Sequence, residues 1–473
     1  MPRTSIVQRK QRVRIDFLAW NPDQDAFNNP GLTVATNTIH QPGGYKQLKS
    51  QATVGSKPVG TATILAPRYI PFPGNDDDLT ESIYVGVNAT SGGHRIYASA
   101  NGGTSWTKKY TGSGSVSWVD YAQYDDHVVA AFGGSSANNA VNTDNGSLTS
   151  IGFSSDLLGV IGDFVIAGRP SGYGDEGAHA VRWCNIGDPT TWATPGTDAA
   201  RAAQAGIEFL DPVYGTVTGI AGGQFFGYIL QQRGIVRVTY VGGDGVFRFQ
   251  YVSRGIGCYS VNNFCQVEDL VFFESASGYY MLQGGAVVDI GKGVVAESYP
   301  PEDHEAPNSY IGSVHANPAI NCVFWTAGLI YNYKSGYWTI GDDISPRYSI
   351  NNDAGVIGEL TSNGKLSLRT GSAKQATFTT QETDPNPAGR ALVTGIRPII
   401  NNPSTLTNVV VRVGSNDQYN NSHTFSPSST VNNTTFKADV LWEGRNLRAE
   451  VKVSGGFTRA LGLDVEFIPQ GIR

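Results

Sequence analysis

Arg182-Trp183-Cys184-Asn185-Ile186-Gly187-Asp188-Pro189-Thr190-Thr191-Trp192 sets two of the chain's eight tryptophans on either side of a strong turn. Gly187 accepts positive φ, Asp188 bonds its own backbone and Pro189 fixes φ, so the chain reverses here. The two indoles are then expected to pack on one layer. Both read as core or blade-interface packing, because an indole mainly supplies buried area. Asp198-Ala199-Ala200-Arg201-Ala202-Ala203-Gln204-Ala205-Gly206 follows with an Asp cap, good helix formers and a Gly stop, which predicts a two-turn helix. The helix either covers a blade edge or projects to a neighbour. Beyond it come the apolar runs Gln224–Leu230 and Gly234–Tyr240, and the stretch closes at Arg254-Gly255-Ile256-Gly257.

Outward from this stretch the same pattern recurs. Short apolar runs lie at Ser82–Val87, His127–Phe132, Asp163–Gly168, Gln224–Leu230, Asp269–Phe273 and Ile320–Trp325, with starts 45, 36, 61, 45 and 51 residues apart. A turn and a second strand follow several of them, as at Arg95–Ala98, Gly278–Leu282 and Gly328–Tyr333. Strands that are apolar throughout need cover on both faces. Blades stacked radially supply it, and repeats of 40 to 50 residues fit the four-stranded blade of a β-propeller. The expectation is an all-β chain with a propeller of about six blades over residues 61–383. Gly355–Leu360 and Gly364–Leu368 are candidates for one more blade, and a solenoid of hairpins would give similar text.

Two flanking regions differ. Residues 1–60 read as a basic N-terminal arm and an extended lead-in, with turn signals at Asn29-Pro30-Gly31 and Gln41-Pro42-Gly43-Gly44-Tyr45 and a short strand at Leu32–Thr36. After the linker Thr383–Gly389, runs such as Val409–Val413 and Leu447–Val453 alternate apolar with polar, which predicts a C-terminal β-sandwich over residues 390–473.

Composition agrees with this class. The 473 residues include 58 Gly, 23 Pro, 22 Tyr and two Met, and charged residues are 16%, a balance that favours strands and turns. The net charge of −6 divides into +4 over residues 1–20, +3 from Arg390 onward and −13 between them. Arg3, Arg9, Lys10, Arg12 and Arg14 make the arm a candidate surface for an acidic partner, or a solvated terminus. With Arg445 and Arg448 they are the candidate interface residues. Cys184, Cys258, Cys265 and Cys322 form no CxxC pair and have no His at ligand spacing, so they read as free thiols of a reducing compartment rather than a zinc site. No signal peptide or apolar span of membrane length is read.

The search for chemistry gives scattered residues. The seven His form no HxxxH or HExxH pattern, and no phosphate loop or nucleophile elbow occurs. Asn75-Asp76-Asp77-Asp78 and Pro301-Glu302-Asp303-His304-Glu305 read as solvated loops with metal-capable side chains. No catalytic residue, cofactor or metal is assigned. A glycosidase needs only two carboxylates, which may be far apart in sequence, and 40 acidic residues leave any chosen pair arbitrary.

Ser99-Ala100-Asn101-Gly102-Gly103-Thr104-Ser105-Trp106 resembles the Asp-box hairpin of sialidases and other propellers, with Asn101 at the acidic position and Ser105 where Thr is usual. There Asn101 ties back the turn, Gly103 accepts positive φ and Trp106 packs between strands, all structural roles. A carbohydrate-active propeller is the rival reading this motif supports.

The tryptophan turn is more specific. It resembles the W-S-x-I-G-D-P-x-x-W signature of tail nozzle and packaged-DNA stabilisation proteins of short-tailed phages, with Cys184 in place of the usual Ser. Gly219–Gly223, Tyr228–Ile235, Tyr240–Gly243 and Val246–Phe249 continue the likeness, as do Pro42–Tyr45 and Leu441–Arg448. The resemblance implies a structural virion protein rather than an enzyme. It implies a β-propeller that assembles as a ring, usually of six copies, below the portal and adaptor. Such a ring contains and gates packaged DNA, touches it non-specifically in the channel, and bears the needle, tail fibres or spikes. An acidic lumen, suggested by the −13 middle region, would avoid sticking to phosphates. Localisation in the virion tail, after assembly in the bacterial cytoplasm, follows from the same likeness.

Overall fold

The computed structural model describes residues 9–471 except 28, 59–62, 72–80, 91, 144–145, 262, 302–313, 326–327, 343–348, 352–356, 361–364, 388, 402–408 and 419–421. The chain is all-β, and the described strands form seven four-stranded antiparallel units. Blade 1 holds Thr63–Pro71, Glu81–Asn88, His94–Ser99 and Thr107–Thr111; blade 2 holds Trp118–Tyr124, His127–Gly133, Ala140–Thr143 and Thr149–Ser150. Blade 3 holds Leu157–Ile161, Phe164–Gly168, Ala180–Trp183 and Gly206–Phe209; blade 4 holds Val217–Ala221, Phe226–Gln231, Gly234–Tyr240 and Phe247–Arg254. Blade 5 holds Phe264–Val267, Leu270–Ser275, Gly278–Gln283 and Ala286–Asp289; blade 6 holds His315–Asn317, Cys322–Phe324, Leu329–Asn332 and Tyr337–Ile340. Blade 7 takes Ser349–Asn351, Ile357–Leu360 and Leu366–Leu368 from one part of the chain and Ala52–Val54 from the N-terminal side.

The first strand of each blade packs on the first strand of the next, and Ser349–Asn351 of blade 7 returns to Thr63–Pro71 of blade 1. The ring is therefore a closed propeller. The count is seven rather than about six, because the pair Ile357–Leu360 and Leu366–Leu368 does complete a further blade. The six apolar runs are the second strands of blades 1 to 6, each held between neighbours on both faces. In blade 2, Val128, Val129, Ala130, Ala131 and Phe132 are all fully buried. Gly133 ends that run because a Cβ there would lie 1.9 Å from the Trp118 ring.

The remaining strands build a sandwich. One sheet runs Thr38–Gln41, Gly44–Gln47, Arg459–Gln470, Arg390–Asn401 and Trp442–Gly444, with Gln11–Asp16 also paired to Arg459–Gln470. The other runs Leu32–Thr36, Ala376–Thr380, Asn446–Val453 and Val409–Asn416, flanked by Thr424–Phe425 and Ser429–Thr430. The expected boundaries at residues 60 and 390 thus differ from the sheets. The N-terminal region is not an extended lead-in: Gln11–Asp16 aligns Val13 with Val465, and Leu32–Thr36 aligns Ala35 with Phe378.

Sandwich and propeller are not separated by a hinge of loops. Thr36 pairs parallel with Ile340 of blade 6, so that blade and one sandwich sheet form a single ten-stranded sheet. One apolar core extends across the junction, from Phe272, Trp325 and Trp338 to Phe17, Trp20, Tyr45 and Phe378. Phe17 stacks on Phe378 at 4.6 Å, joining the N-terminal segment to the C-terminal half.

Candidate functional site

The tryptophan turn joins the third and fourth strands of blade 3. Asn185 N–H donates to Thr191 O at 3.0 Å, and Asp188 N–H donates to Asn185 O at 3.1 Å. Asp188 Oδ1 accepts from Thr190 N at 2.9 Å and Thr190 Oγ1 at 2.6 Å. Partial burial pushes the Asp188 carboxyl up, but hydrogen bonds from Thr190 and Thr191 outweigh it and leave the group below the usual range. Gly187 sits at φ +72° and donates to Asp163 O at 2.8 Å, and Pro189 is buried.

The two indoles do not share one layer. Trp183 is buried, donates to Gln204 O at 2.8 Å and meets Phe247 of blade 4 edge-on at 5.2 Å. Half-buried Trp192 donates to Pro189 O at 2.8 Å and packs on Phe153, which precedes blade 3, at 4.5 Å. The split follows from the backbone, since Trp183 ends a blade strand whereas Trp192 lies in the loop that folds back. Arg182 links the two sides: Nη2 donates to Trp192 O at 2.8 Å and the guanidinium lies 4.6 Å from the Phe153 centroid. Cys184 is buried, its Sγ accepts from Val165 N at 3.1 Å, and burial pushes its thiol up to about 12.

The following helix is shorter than expected, Asp198–Ala202. Its cap is Thr197, whose Oγ1 accepts from Ala200 N at 3.2 Å, so Asp198 becomes the first helical residue. Gly206 is not its stop but opens the next strand, while Gln204 takes the left-handed turn at φ +54°.

The Asp-box-like hairpin is tied back by its own side chains. Asn101 Oδ1 accepts from Ser99 Oγ and Ser105 N at 2.9 Å each, and Gly103 N donates to Ser99 Oγ at 2.9 Å. Trp106 is half-buried and donates to Ser56 O at 2.9 Å, while Ser56 N donates to Gly103 O at 3.1 Å. The hairpin therefore fastens the segment just after the closing strand Ala52–Val54 onto blade 1.

The candidate interface cations are distributed over the sandwich. Lys10 pairs with Glu466, Arg12 with Asp464 and Arg14 with Asp16, and Arg9 is exposed. Arg445 lies 3.7 Å from Asp384. Arg448 is half-buried beside the Phe425 ring, which also carries Arg412 on its bidentate partner Glu450. Arg3 lies outside the described residues, as do Asn75–Asp78 and the run from 302 to 305.

Among the described residues no group of three or more His, Cys, Asp or Glu side chains is placed to hold a metal, and all four cysteines are free. A polar groove of about 640 Å³ follows the outer strands of blade 2 and is lined by Asn142, Thr143, Ser147 and Thr149. Neither an aromatic ring nor a carboxylate is among its described lining residues.

What sequence reasoning missed is an apolar arc on one face of the ring. In blades 2 to 5 the antiparallel order puts the turn between first and second strands and the turn between third and fourth strands on the same face. On that face Phe225 is 74% exposed, Val241 54%, Tyr240 40% and Ile186 38%. Asp125 of blade 2, Asp163 of blade 3 and Glu268 and Asp269 of blade 5 occupy exposed first turns beside them. Hydrogen bonds tie these turns into one surface: Gly162 N to Gly223 O at 2.8 Å, and Gln266 Nε2 to Gly222 O at 2.8 Å.

No family model matches the chain, and no curated protein matches it. Among solved structures, one similar chain is described as YCF48 bound to D1 peptide, at 11% identity and a TM-score of 0.38. The match covers 68% of this chain and 95% of that one.

Proposed function

We propose that the protein is a structural component of a short phage tail, the ring-forming nozzle or hub that contains packaged DNA and docks adaptor, needle or fibres. The observation that carries this reading is the ten-stranded sheet shared by blade 6 and the sandwich. A wall that confines DNA must transmit force between its parts without a hinge, and a continuous hydrogen-bonded sheet over one core does so. The tryptophan turn, where the family likeness is densest, supports the same role: its polar groups hold one another and so give the blade rigidity. In this reading the ring is a homo-oligomer, six copies by the family likeness.

The mass of the purified protein in solution, and of the species it forms in virions, tests the proposal. A discrete ring-sized assembly is expected, and a monomer absent from virions overturns it. The Asp-box-like hairpin favours the second reading, a carbohydrate-active propeller. Turnover in a glycan hydrolysis screen would establish that alternative.

A further inference from the structure

Val409, Val411 and Val413 belong to the sandwich core, as do Ala449, Val451 and Val453, so strand alternation puts Asn416, Asn446 and Arg448 on the opposite face of that sheet. There Asn416 lies directly across from Asn446, and His423 immediately precedes the flanking strand Thr424–Phe425 on the other side of Asn416. Glu382 follows the strand Ala376–Thr380, and its N–H donates to Ala26 O at 2.8 Å. Segments far apart in sequence thus bring a carboxylate, an imidazole and an amide together.

The three groups form a nearly equilateral triangle. Glu382 Oε2 lies 3.3 Å from His423 Nε2 and 3.3 Å from the Asn416 side-chain nitrogen, which is itself 3.4 Å from His423 Nε2. The Glu382 side chain is fully buried and that of His423 is 3% exposed. Among the described residues Glu382 Oε1 and Asn446 Oδ1, both buried, accept no hydrogen bond. Zinc bonds to nitrogen and oxygen of about 2.0–2.1 Å set tetrahedral ligands about 3.3–3.4 Å apart, so the triangle has the edge length of three such corners. Asn416 Oδ1 accepts from Asn446 Nδ2 at 3.0 Å. The two ends of a carboxamide have the same shape, so a half-turn of both amides keeps one bond between them, from Asn416 Nδ2 to Asn446 Oδ1, and turns Asn416 Oδ1 toward Glu382 and His423.

We infer that Glu382 Oε2, His423 Nε2 and Asn416 Oδ1 hold a divalent metal of the zinc and cobalt class, with water in the fourth position. An imidazole donor selects such an ion over calcium and magnesium, which take their ligands from oxygen. Asn446 orients Asn416, and the bond to Ala26 O holds the backbone of Glu382. His423 lies between exposed Ser422 and Thr424, which leaves a short path to solvent. Arg448 acts electrostatically on both Glu382 and His423 and opposes the cation, while the neighbouring Glu450 is engaged by Arg412 and Lys452. The bound ion fastens Glu382 to the strands at Asn416 and His423, so its binding stabilises the sandwich. The site is independent of the ring proposed above.

Cobalt tests it, because the visible absorption of a four-coordinate cobalt ion is far stronger than that of the hydrated ion. Titration of the full chain with Co²⁺ is expected to give saturable bands of the four-coordinate type that Zn²⁺ abolishes. Zn²⁺ is expected to raise the melting of the sandwich in calorimetry, and Ca²⁺ and Mg²⁺ to leave it unchanged. Glu382→Gln and His423→Gln are each expected to weaken Co²⁺ binding at least tenfold, and Arg448→Gln to tighten it, a gain that a packing role for Arg448 does not produce. Circular dichroism confirms folding, and His423→Gln decides the matter if Glu382→Gln does not fold. A wild-type protein without a saturable cobalt spectrum at millimolar metal overturns the site. So does binding that His423→Gln leaves unchanged, or that a folded Arg448→Gln protein fails to tighten.

Discussion

Blade 2 and the sandwich are both antiparallel sheets over apolar cores, but they draw on the chain in opposite ways. Blade 2 spends residues 118–150 on four consecutive strands, so each pairing closes a short loop. The sandwich aligns Val13 with Val465 and Ala35 with Phe378. Loop closure costs more for such distant partners and is recovered only once the intervening propeller has brought them together. Blades 1 to 6 thus stand on local contacts, whereas the closing strand of blade 7 and the sandwich report on the integrity of the whole chain.

Matched truncations break this comparison most strongly. Phe132 and Phe378 are both fully buried, and replacing either with Ala should cost about 3–5 kcal/mol. Phe378→Ala, which removes the partner of Phe17 and Tyr45, is expected to split the unfolding trace in calorimetry, with the sandwich melting first. Phe132→Ala should lower the propeller transition instead. A single unchanged transition for Phe378→Ala would show that the two parts are less distinct than their topology.

Gly133→Ala probes a local close approach. Its Cβ would overlap the Trp118 ring, so a loss of about 1–3 kcal/mol by urea denaturation is expected, confined to blades 1 to 3 in hydrogen exchange. Asp188→Ala removes two hydrogen bonds from Thr190 in the tryptophan turn and should cost about 1 kcal/mol. Exchange should quicken at residues 185–193 and stay unchanged in the sandwich.

Acid should act on the sandwich through His40. Burial lowers its pKa to about 4, with the ring against Tyr45 and Tyr337 and Nδ1 at 2.8 Å from Ser335 Oγ. The unfolded chain therefore binds the proton more readily. This contribution to stability is present above the ordinary value of about 6.5 and is lost as pH falls toward about 4. His40→Gln should flatten the fall in urea midpoint over that window. The smallest effect belongs to the exposed Arg14–Asp16 pair: Arg14→Ala should shift stability by no more than about 0.5 kcal/mol.

The same contrast sets what the sequence could reveal. Blades 1 to 6 were legible because their second strands are apolar throughout, a requirement of cover on both faces. The closing strand Ala52–Val54 was not, since three residues between turn-rich segments carry no periodicity and their partner Leu366–Leu368 lies far along the chain. Strand pairing of Gln11–Asp16 was hidden by its charge, because Lys10 and Arg12 find Glu466 and Asp464 only after folding. The tryptophan turn was readable as a turn, but its indoles go to different neighbours because Trp183 ends a strand whereas Trp192 lies in the loop that folds back. The apolar arc escaped notice because Ile186, Phe225 and Val241 are single residues in separate turns, and ring closure alone gathers them.

The closing strand of blade 7 has a consequence for biosynthesis. Ala52–Val54 leaves the ribosome more than three hundred residues before Leu366–Leu368, and Gln11–Asp16 long before Arg459–Gln470. Early in translation both strands are present without their partners, exposing edges of the kind that promote mispairing between nascent chains. Blades 2 to 5 can form in order as they emerge, but blade 7 closes only once Leu366–Leu368 has emerged, and Gln11–Asp16 is covered only once Arg459–Gln470 has. A nascent chain stalled short of residue 459 therefore lacks the strand that holds Gln11–Asp16 in place.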